Sequence, residues 1–505
     1  MGPAGGPEMA EPRTYGGWRP RRGFGLGRLS EAQTAVIAGC VLVPLGMWIL
    51  VASFGLPILV VGVAVVVAIV VGVLTVVPHR TRGVSLGGAL IIALRSASAQ
   101  RRGWSEWESG VFTTHPRKGE LPGVLAPLMP LTTKDGLGNP YGLLWDRRTG
   151  RLTASLRVAP VGTVLADEDR TDLWIGSFAA WQAALGYEPT VEWASITVES
   201  APSSGTELAD YVADRLDPAA PAIARETMTE VADAHRGSTA DISVRVSLTF
   251  QPQRARPQPR DDAERVAEVS RALAGLEGDL PLCGVATLGR ATAADITHWL
   301  RSAYDPHARG EIGRLSEQQH LLDWGEAGPV KAQALADHYW HDSGWSCTWA
   351  MAALPNQLVT SNVLAPLVTP GRYHRRVTIT YQPYPADQAG EVVTREATGS
   401  AFRREVRRRR GVDETARDRA DEIRARQAAE EEARGAGVGL WGMYVTTTVE
   451  DPRRLPDAIA DVESRARNSK LRLRRCWGWQ HAGFAASLGV GIYPPDLARR
   501  GRMAR

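Results

Sequence analysis

The chain has 505 residues, a formal net charge of +4 and a hydrophobic content of 44%. This length exceeds one ordinary hydrophobic core and predicts two or three domains. The 55 acidic residues nearly balance the 59 basic ones, so the composition argues against nucleic-acid binding as the main role, and direct nucleic-acid binding is not expected. None of the four cysteines stands in a CxxC pair, and their spacing matches no zinc site.

A long apolar run over residues 32–78 dominates the N-terminal part of the chain. Between Glu31 and His79 the only ionisable side chain is Cys40. A bilayer crossing needs roughly 20 apolar residues, so the run is long enough for two crossings. Gly and Pro at residues 54–57 favour a turn. We therefore predict a transmembrane hairpin with helices at about 33–53 and 57–77.

Arginines flank this run on both sides, in a basic tail over residues 1–31 and in the segment that follows the run. Because positively charged flanks stay on the cytoplasmic side, both termini are predicted to be cytoplasmic. The sequence thus predicts a multi-pass protein of the cell membrane, with the lipid bilayer as a partner. Residues 79–139 are predicted to form a juxtamembrane segment.

Helix and strand patterns alternate in the rest of the chain. We predict three α+β units, at 140–255, 256–340 and 341–505. A strand is expected over residues 242–250, and Thr292 is the predicted N-cap of a helix that ends near residue 304. The predicted fold class is a membrane-anchored α+β protein, in which the hairpin precedes cytosolic ferredoxin-like or related α+β layers.

A highly charged helical arm is predicted at residues 386–434 within the third unit. Its residues 403–434 carry many arginines and acidic residues and few large apolar ones. One interpretation is a solvated helix stabilised by pairs of opposite charge four residues apart, and the other is a docking arm for a partner subunit. The candidate interaction residues of this arm are Arg407, Arg408, Arg409 and Arg410.

Motifs of known chemistry were sought along the chain. No lysine follows a glycine, so the phosphate-binding loop of P-loop ATPases is absent from the sequence. Residues 437–442 (GVGLWG) match G-x-G-x-x-G but open a predicted strand rather than a helix, which argues against a dinucleotide site. His338 and His341 have no evident third metal ligand. We predict no catalytic, cofactor-binding or metal-binding residues, and we do not expect an enzyme.

Nine short segments are distributed over most of the chain: 13–18 (RTYGGW), 121–127 (LPGVLAP), 141–142 (YG), 145–150 (WDRRTG), 288–294 (LGRATAA), 342–344 (DSG), 413–418 (DETARD), 432–440 (EARGAGVGL) and 461–463 (DVE). Together they resemble one family of membrane proteins that actinobacterial conjugation and secretion gene clusters encode. Tyr15, Gly16, Gly17 and Trp18, in the first of these segments, are further candidate interaction residues.

The resemblance implies a structural subunit rather than an enzyme. The layout is similar to a two-helix subunit of type IV secretion joined to the front part of that system's ATPase, and also to the EccE plan of type VII secretion. A separate secretion or conjugation ATPase and other channel subunits are the implied partners, and we expect a homo-oligomer. Two alternatives stay open: a membrane-tethered enzyme with a dispersed site, and a regulatory or DNA-binding membrane protein that uses the arginine-rich segment.

Overall fold

The computed structural model describes most of the chain outside the first residues and the charged arm. The described residues are 15–16, 31–54, 58–77, 85–103, 105–110, 113, 119–162, 167–202, 212–234, 240–317, 322–355, 358–388, 390–391 and 437–503.

Twelve α-helices lie in this part of the chain. They are α1 (Glu31–Phe54), α2 (Ile58–Val76), α3 (Leu86–Arg101), α4 (Glu168–Tyr187), α5 (Ala222–Ala234), α6 (Asp262–Gly278), α7 (Ala293–Tyr304), α8 (Arg309–Glu317), α9 (Ala365–Val368), α10 (Leu455–Asn468), α11 (Gln480–Ser487) and α12 (Pro494–Met503).

The predicted membrane anchor is not supported. Helices α1 and α2 occupy the apolar run, but within the described residues no helix combines the length and the apolar character that crossing a bilayer requires. The prediction took two uncharged apolar stretches of about 20 residues each as sufficient for two crossings. This finding corrects the predicted transmembrane hairpin and the predicted multi-pass location in the cell membrane.

Fifteen strands are described. They are β1 (Tyr15–Gly16), β2 (Glu106–Glu108), β3 (Leu128–Lys134), β4 (Pro140–Asp146), β5 (Arg151–Pro160), β6 (Val191–Pro202), β7 (Ala240–Phe250), β8 (Val285–Arg290), β9 (Lys331–Ala334), β10 (Tyr339–His341), β11 (Gly344–Ala353), β12 (Leu358–Val359), β13 (His374–Pro383), β14 (Gly439–Val449) and β15 (Arg472–Arg475).

Thirteen of these strands form one antiparallel sheet. Its order is β2-β9-β10-β11-β14-β13-β6-β7-β5-β4-β3, with β15 added beside β11 and β8 added beside β5. The prediction of ferredoxin-like or related layers behind a membrane anchor is therefore wrong. It treated neighbouring strands in the sequence as separate small units, whereas β6 pairs with β13, about 180 residues further along the chain.

Ten of the thirteen strands belong to two repeats with the same strand connections. The first repeat runs from β4 to α7 and the second from β10 to α11. After its opening strand, each repeat contributes four strands to the sheet, and the fourth, first, third and second lie side by side. In the first repeat this order is β8-β5-β7-β6, and in the second it is β15-β11-β14-β13. The two repeats meet where β6 pairs with β13.

Pairs of side-chain hydroxyl groups confirm that these strands are equivalent. Each pair joins the first and third strands of a repeat and has an oxygen–oxygen distance of 2.8 or 2.9 Å. The pairs Thr153–Thr249 and Ser155–Ser247 in the first repeat correspond to Ser346–Thr448 and Thr348–Thr446 in the second. The matching register shows that the chain contains an internal duplication related by an approximate two-fold axis.

The two faces of the sheet are covered differently. On one face, α4 and α6 pack on the first repeat through Trp181 and Leu273, and α10 packs on the second through Val462. On the other face lie the hydroxyl pairs, beneath α7, α11 and the segment that follows α11. Thr292 caps α7 with a capping box, as predicted from the sequence.

Candidate functional site

Residues 487–493 (SLGVGIY), called here the strap, cross the hydroxyl-bearing face at the centre of the sheet. Thr378 donates a hydrogen bond of 2.6 Å to the carbonyl oxygen of Ser487. Arg245 donates from Nε and Nη2 to the carbonyl oxygen of Leu488, at 3.3 and 3.0 Å. The strap therefore joins both repeats where they meet.

Two glycines of the strap allow this close approach. Gly489 and Gly491 have φ angles of +70° and +83°, in the left-handed region that side chains disfavour. A Cβ atom on Gly489 would collide with Oγ1 of Thr197, and one on Gly491 would collide with Oγ1 of Thr153. The backbone of the strap thus lies directly on the hydroxyl pairs.

A buried cluster of charged groups lies beside the strap, around the carboxylate of Glu199. Arg376 donates to this carboxylate from Nε and Nη2, at 3.2 and 3.1 Å, and Arg245 Nη1 donates at 3.2 Å. His374 Nε2 lies 2.8 Å from Oε1, and Arg309 Nη1 lies 3.4 Å from the same atom. These five residues come from β6, β7, β13 and α8, and are called here the Glu199 cluster.

Electrostatics fixes the charge states in the Glu199 cluster. Burial by itself raises the pKa of Glu199, but the guanidinium groups of Arg376 and Arg245 and the hydrogen bond from His374 hold it well below its ordinary value. Burial lowers the pKa of His374 to about 4, against the opposing effect of Glu199, and lowers the pKa of Arg245 to about 10. At neutral pH the carboxylate is ionised, His374 is neutral and Arg245 is charged.

These charge states limit what the Glu199 cluster can do. Three guanidinium groups surround one carboxylate, and Arg376 is only 1% exposed. An ionised carboxylate that accepts this many hydrogen bonds is a poor general base. The cluster instead fixes β6, β7 and β13 relative to one another.

A second buried histidine, His341, is hydrogen-bonded to a serine hydroxyl, as is the histidine that activates a nucleophilic serine. His341 donates from Nδ1 to the carbonyl oxygen of Tyr304 at 2.6 Å, so its Nε2 accepts from the hydroxyl of Ser346 at 2.7 Å. Burial lowers the pKa of His341 to about 4, which keeps the ring neutral. Both side chains are fully buried, however, so no substrate can reach the Ser346 hydroxyl.

Cys283, Cys347 and Cys476 are unreactive thiols. Burial raises the pKa of Cys283 to about 11 and that of Cys347 to about 12, and it raises the pKa of Cys476 further. Since the thiolate is the nucleophile and the metal ligand, these thiols stay protonated and inert. Among the described residues no group of three His, Cys, Asp or Glu side chains could hold a metal ion, and His338 pairs with Asp337 instead.

The predicted interaction residues are only partly described. Tyr15 and Gly16 form β1, which pairs with β12 in the second repeat. Gly17, Trp18 and the four arginines Arg407, Arg408, Arg409 and Arg410 lie outside the described residues.

Sequence reasoning missed the Glu199 cluster. A signal was present, because Glu199, Arg245 and Arg376 each stand two residues from a Thr or Ser of the same strand. In a half-buried strand, such positions face one side of the sheet together. Charges on the same face as a row of hydroxyl groups would have indicated a polar buried layer.

Comparison with known proteins adds no relative to this description. No family model matches the chain, and no curated protein matches it significantly.

Proposed function

We propose that this protein is a non-catalytic structural subunit of a conjugation or secretion apparatus, of the type IV-like or type VII-like kind, that docks a separate ATPase. The observation that carries the proposal is the contrast between its interior and its surface. Ionisable groups with strongly shifted pKa values, among them the Glu199 cluster and His341, are enclosed and hydrogen-bonded, whereas large apolar side chains are exposed.

Most of the exposed large apolar side chains lie on α1, α2 and α3, and most of the others lie in the first repeat. Leu173 on α4 is 66% exposed, and Leu282, in the turn packed against α4, is 63% exposed. Ile223 on α5 is 75% exposed. Exposed apolar side chains that lie together are typical of protein–protein contact surfaces. This surface, formed by Leu173 and Leu282, is the proposed ATPase-docking surface.

Direct binding tests this proposal. The purified full-length chain is mixed with the purified ATPase encoded beside it, and the complex is measured by size-exclusion chromatography with light scattering and by calorimetry. The double variant Leu173→Glu, Leu282→Glu is expected to lose the complex. Leu137→Glu is the matched control, because Leu137 is 87% exposed at the tip of the β3–β4 hairpin.

Two outcomes would contradict the proposal. One is the absence of a complex with any conjugation or secretion ATPase of the same gene cluster. The other is turnover of a substrate by the purified chain alone. Equal ATPase binding by all three forms would remove the assigned docking surface.

A further inference from the structure

The end of α10 and the adjoining strand β15 carry four exposed basic side chains. They are Arg467, Lys470, Arg472 and Arg474, called here the basic edge. Among the described residues none of them has an ion-pair partner. Arg475, the next residue, is paired with Glu463 at 3.6 Å and does not belong to the basic edge.

The first repeat provides an internal comparison for these positions. Arg290 is the equivalent of Arg475, because each ends the fourth strand of its repeat and pairs with a glutamate of the preceding helix, Glu277 or Glu463. Gly284 is the equivalent of Lys470, because each has a left-handed backbone between that helix and that strand.

Counting from Lys470 and Gly284 makes Pro281 the counterpart of Arg467. The registers of β15 on β11 and of β8 on β5 make Val285 and Gly289 the counterparts of Arg472 and Arg474. All four counterparts are neutral, although β8 pairs with β5 as β15 pairs with β11. The fold therefore does not need cations at these positions. Cations are also not needed there to protect the strand edge from pairing with another chain.

Lys470 supports this conclusion independently. Its φ angle is +54°, and the bonds from Lys470 N to the Arg467 carbonyl and from Leu471 N to the Ala466 carbonyl end α10 in a Schellman motif. Glycine is the residue that this position favours, and the first repeat has Gly284 there. A lysine in a left-handed conformation is strained, so Lys470 lowers the stability of the chain relative to a glycine at this position.

We infer that the basic edge binds an extended acidic segment of a partner protein, which adds to the sheet beside β15. In the described part of the chain β15 pairs with β11 alone, so its other side offers backbone groups that a peptide can complete. Arg472 and Arg474 are two residues apart and face the same side of the strand, where alternate acidic side chains of an added strand would lie opposite them.

One observation favours an acidic peptide over a nucleic acid. The guanidinium of Arg475 lies 4.9 Å from the ring centre of Trp477 and 5.7 Å from that of Trp349, so these aromatic faces are occupied and do not offer stacking platforms for bases. The inference concerns the second repeat and does not rest on the proposed ATPase-docking surface.

Fluorescence anisotropy with the full-length chain tests the inference. The probe is a labelled peptide of alternating Glu and Thr, and the comparison probes are the same peptide with N-methylated backbone at alternate residues and a single-stranded oligonucleotide of equal charge. The variant Arg472→Glu, Arg474→Glu is expected to bind the acidic peptide at least about tenfold more weakly. Arg453→Glu, Arg454→Glu is the matched control, since both arginines are exposed and lie at the other end of α10.

A further variant separates binding from misfolding. Lys470→Gly is expected to raise the urea midpoint of unfolding while weakening peptide binding, a combination that a folding defect cannot produce. The inference is overturned if the acidic peptide does not bind, if both charge-reversal variants lose it equally, or if the oligonucleotide binds more tightly at the same residues. Unchanged binding of the N-methylated peptide would overturn the addition of a strand.

Discussion

Thr197 and Thr378 share a hydrogen bond of 3.0 Å across β6 and β13, and each is the counterpart of the other in the duplicated fold. Thr197 pairs with Arg245, and Arg245 precedes Ser247 by two residues. In the same way Thr378 pairs with Tyr444, which precedes Thr446 by two residues. The approximate two-fold axis therefore passes through this pair. Because Thr378 donates to the strap, Thr197 donates to Thr378.

The direction of these two bonds predicts unequal effects of two matched substitutions. Thr378→Val leaves the Thr197 hydroxyl and the Ser487 carbonyl without this partner, so we expect it to lower the free energy of unfolding by about 1–3 kcal/mol. Thr197→Val keeps the bond to the strap and should cost less, about 1 kcal/mol. Urea denaturation followed by circular dichroism measures both. Equal losses would show that the bond to the strap contributes nothing.

Replacing Glu199 by glutamine should destabilise the chain strongly. Glu199→Gln removes the only carboxylate among the buried guanidinium groups of the Glu199 cluster, and the expected loss is about 3–5 kcal/mol. Glu463→Gln is the control, because Glu463 is half exposed and its loss should stay within about 1 kcal/mol. The same denaturation experiment compares them. A loss below about 1 kcal/mol for Glu199→Gln would contradict the assigned role of the cluster.

Acid should destabilise the protein well before its carboxylates are protonated. His341 and His374 have pKa values of about 4 in the folded chain against 6.5 in the unfolded chain, so the unfolded chain binds more protons between these values. Stability is therefore fully present above pH 6.5 and is lost as the pH falls towards 4.

Urea midpoints measured at intervals from pH 7.5 to pH 4.5 test this expectation. His374→Gln should reduce the slope, whereas His307→Gln, at a residue with an exposed side chain, should leave it unchanged. A flat profile for the unsubstituted chain would show that these histidines are not buried as neutral rings.

The strap should tolerate no side chain at its first glycine. Gly489→Ala forces alanine into a left-handed conformation and against Thr197, so we expect a loss of more than about 1 kcal/mol. Gly176→Ala is the opposite case, because Gly176 lies inside α4 and an added Cβ there meets open space. That substitution should stabilise the chain by up to about 1 kcal/mol. Thermal unfolding of both variants gives the comparison.

Local structure was largely readable from the sequence. The strand predicted over residues 242–250 lies within β7, and the helix capped by Thr292 is α7. Periods of two and 3.6 residues and capping residues are properties of neighbouring side chains, so they can be recognised in one sequence. The apolar run was also recognised as helical, but its length and apolar composition led to a membrane assignment that the structure does not support.

Long-range pairing could not be read in the same way. The pairing of β6 with β13 depends on which strand edges meet, and alternation along a strand does not specify its partner. The duplication was hidden for the same reason, since its signature is a set of hydroxyl pairs such as Ser155–Ser247 and Thr348–Thr446 rather than a repeated motif. Glu199 and Arg376 received no assignment, because their burial follows from the assembly of strands that are distant in the sequence.

The junction between β6 and β13 has a consequence for the ancestry of the chain. Two copies of a single repeat, paired through the same strand about the same axis, would form a symmetric dimer, and joining their genes would yield this topology. Residues 322–330, which lead to β9, follow the first repeat and precede the second, so a break just before residue 322 leaves each repeat whole. Fragments 1–321 and 322–505, co-expressed, should therefore find each other and rebuild the sheet.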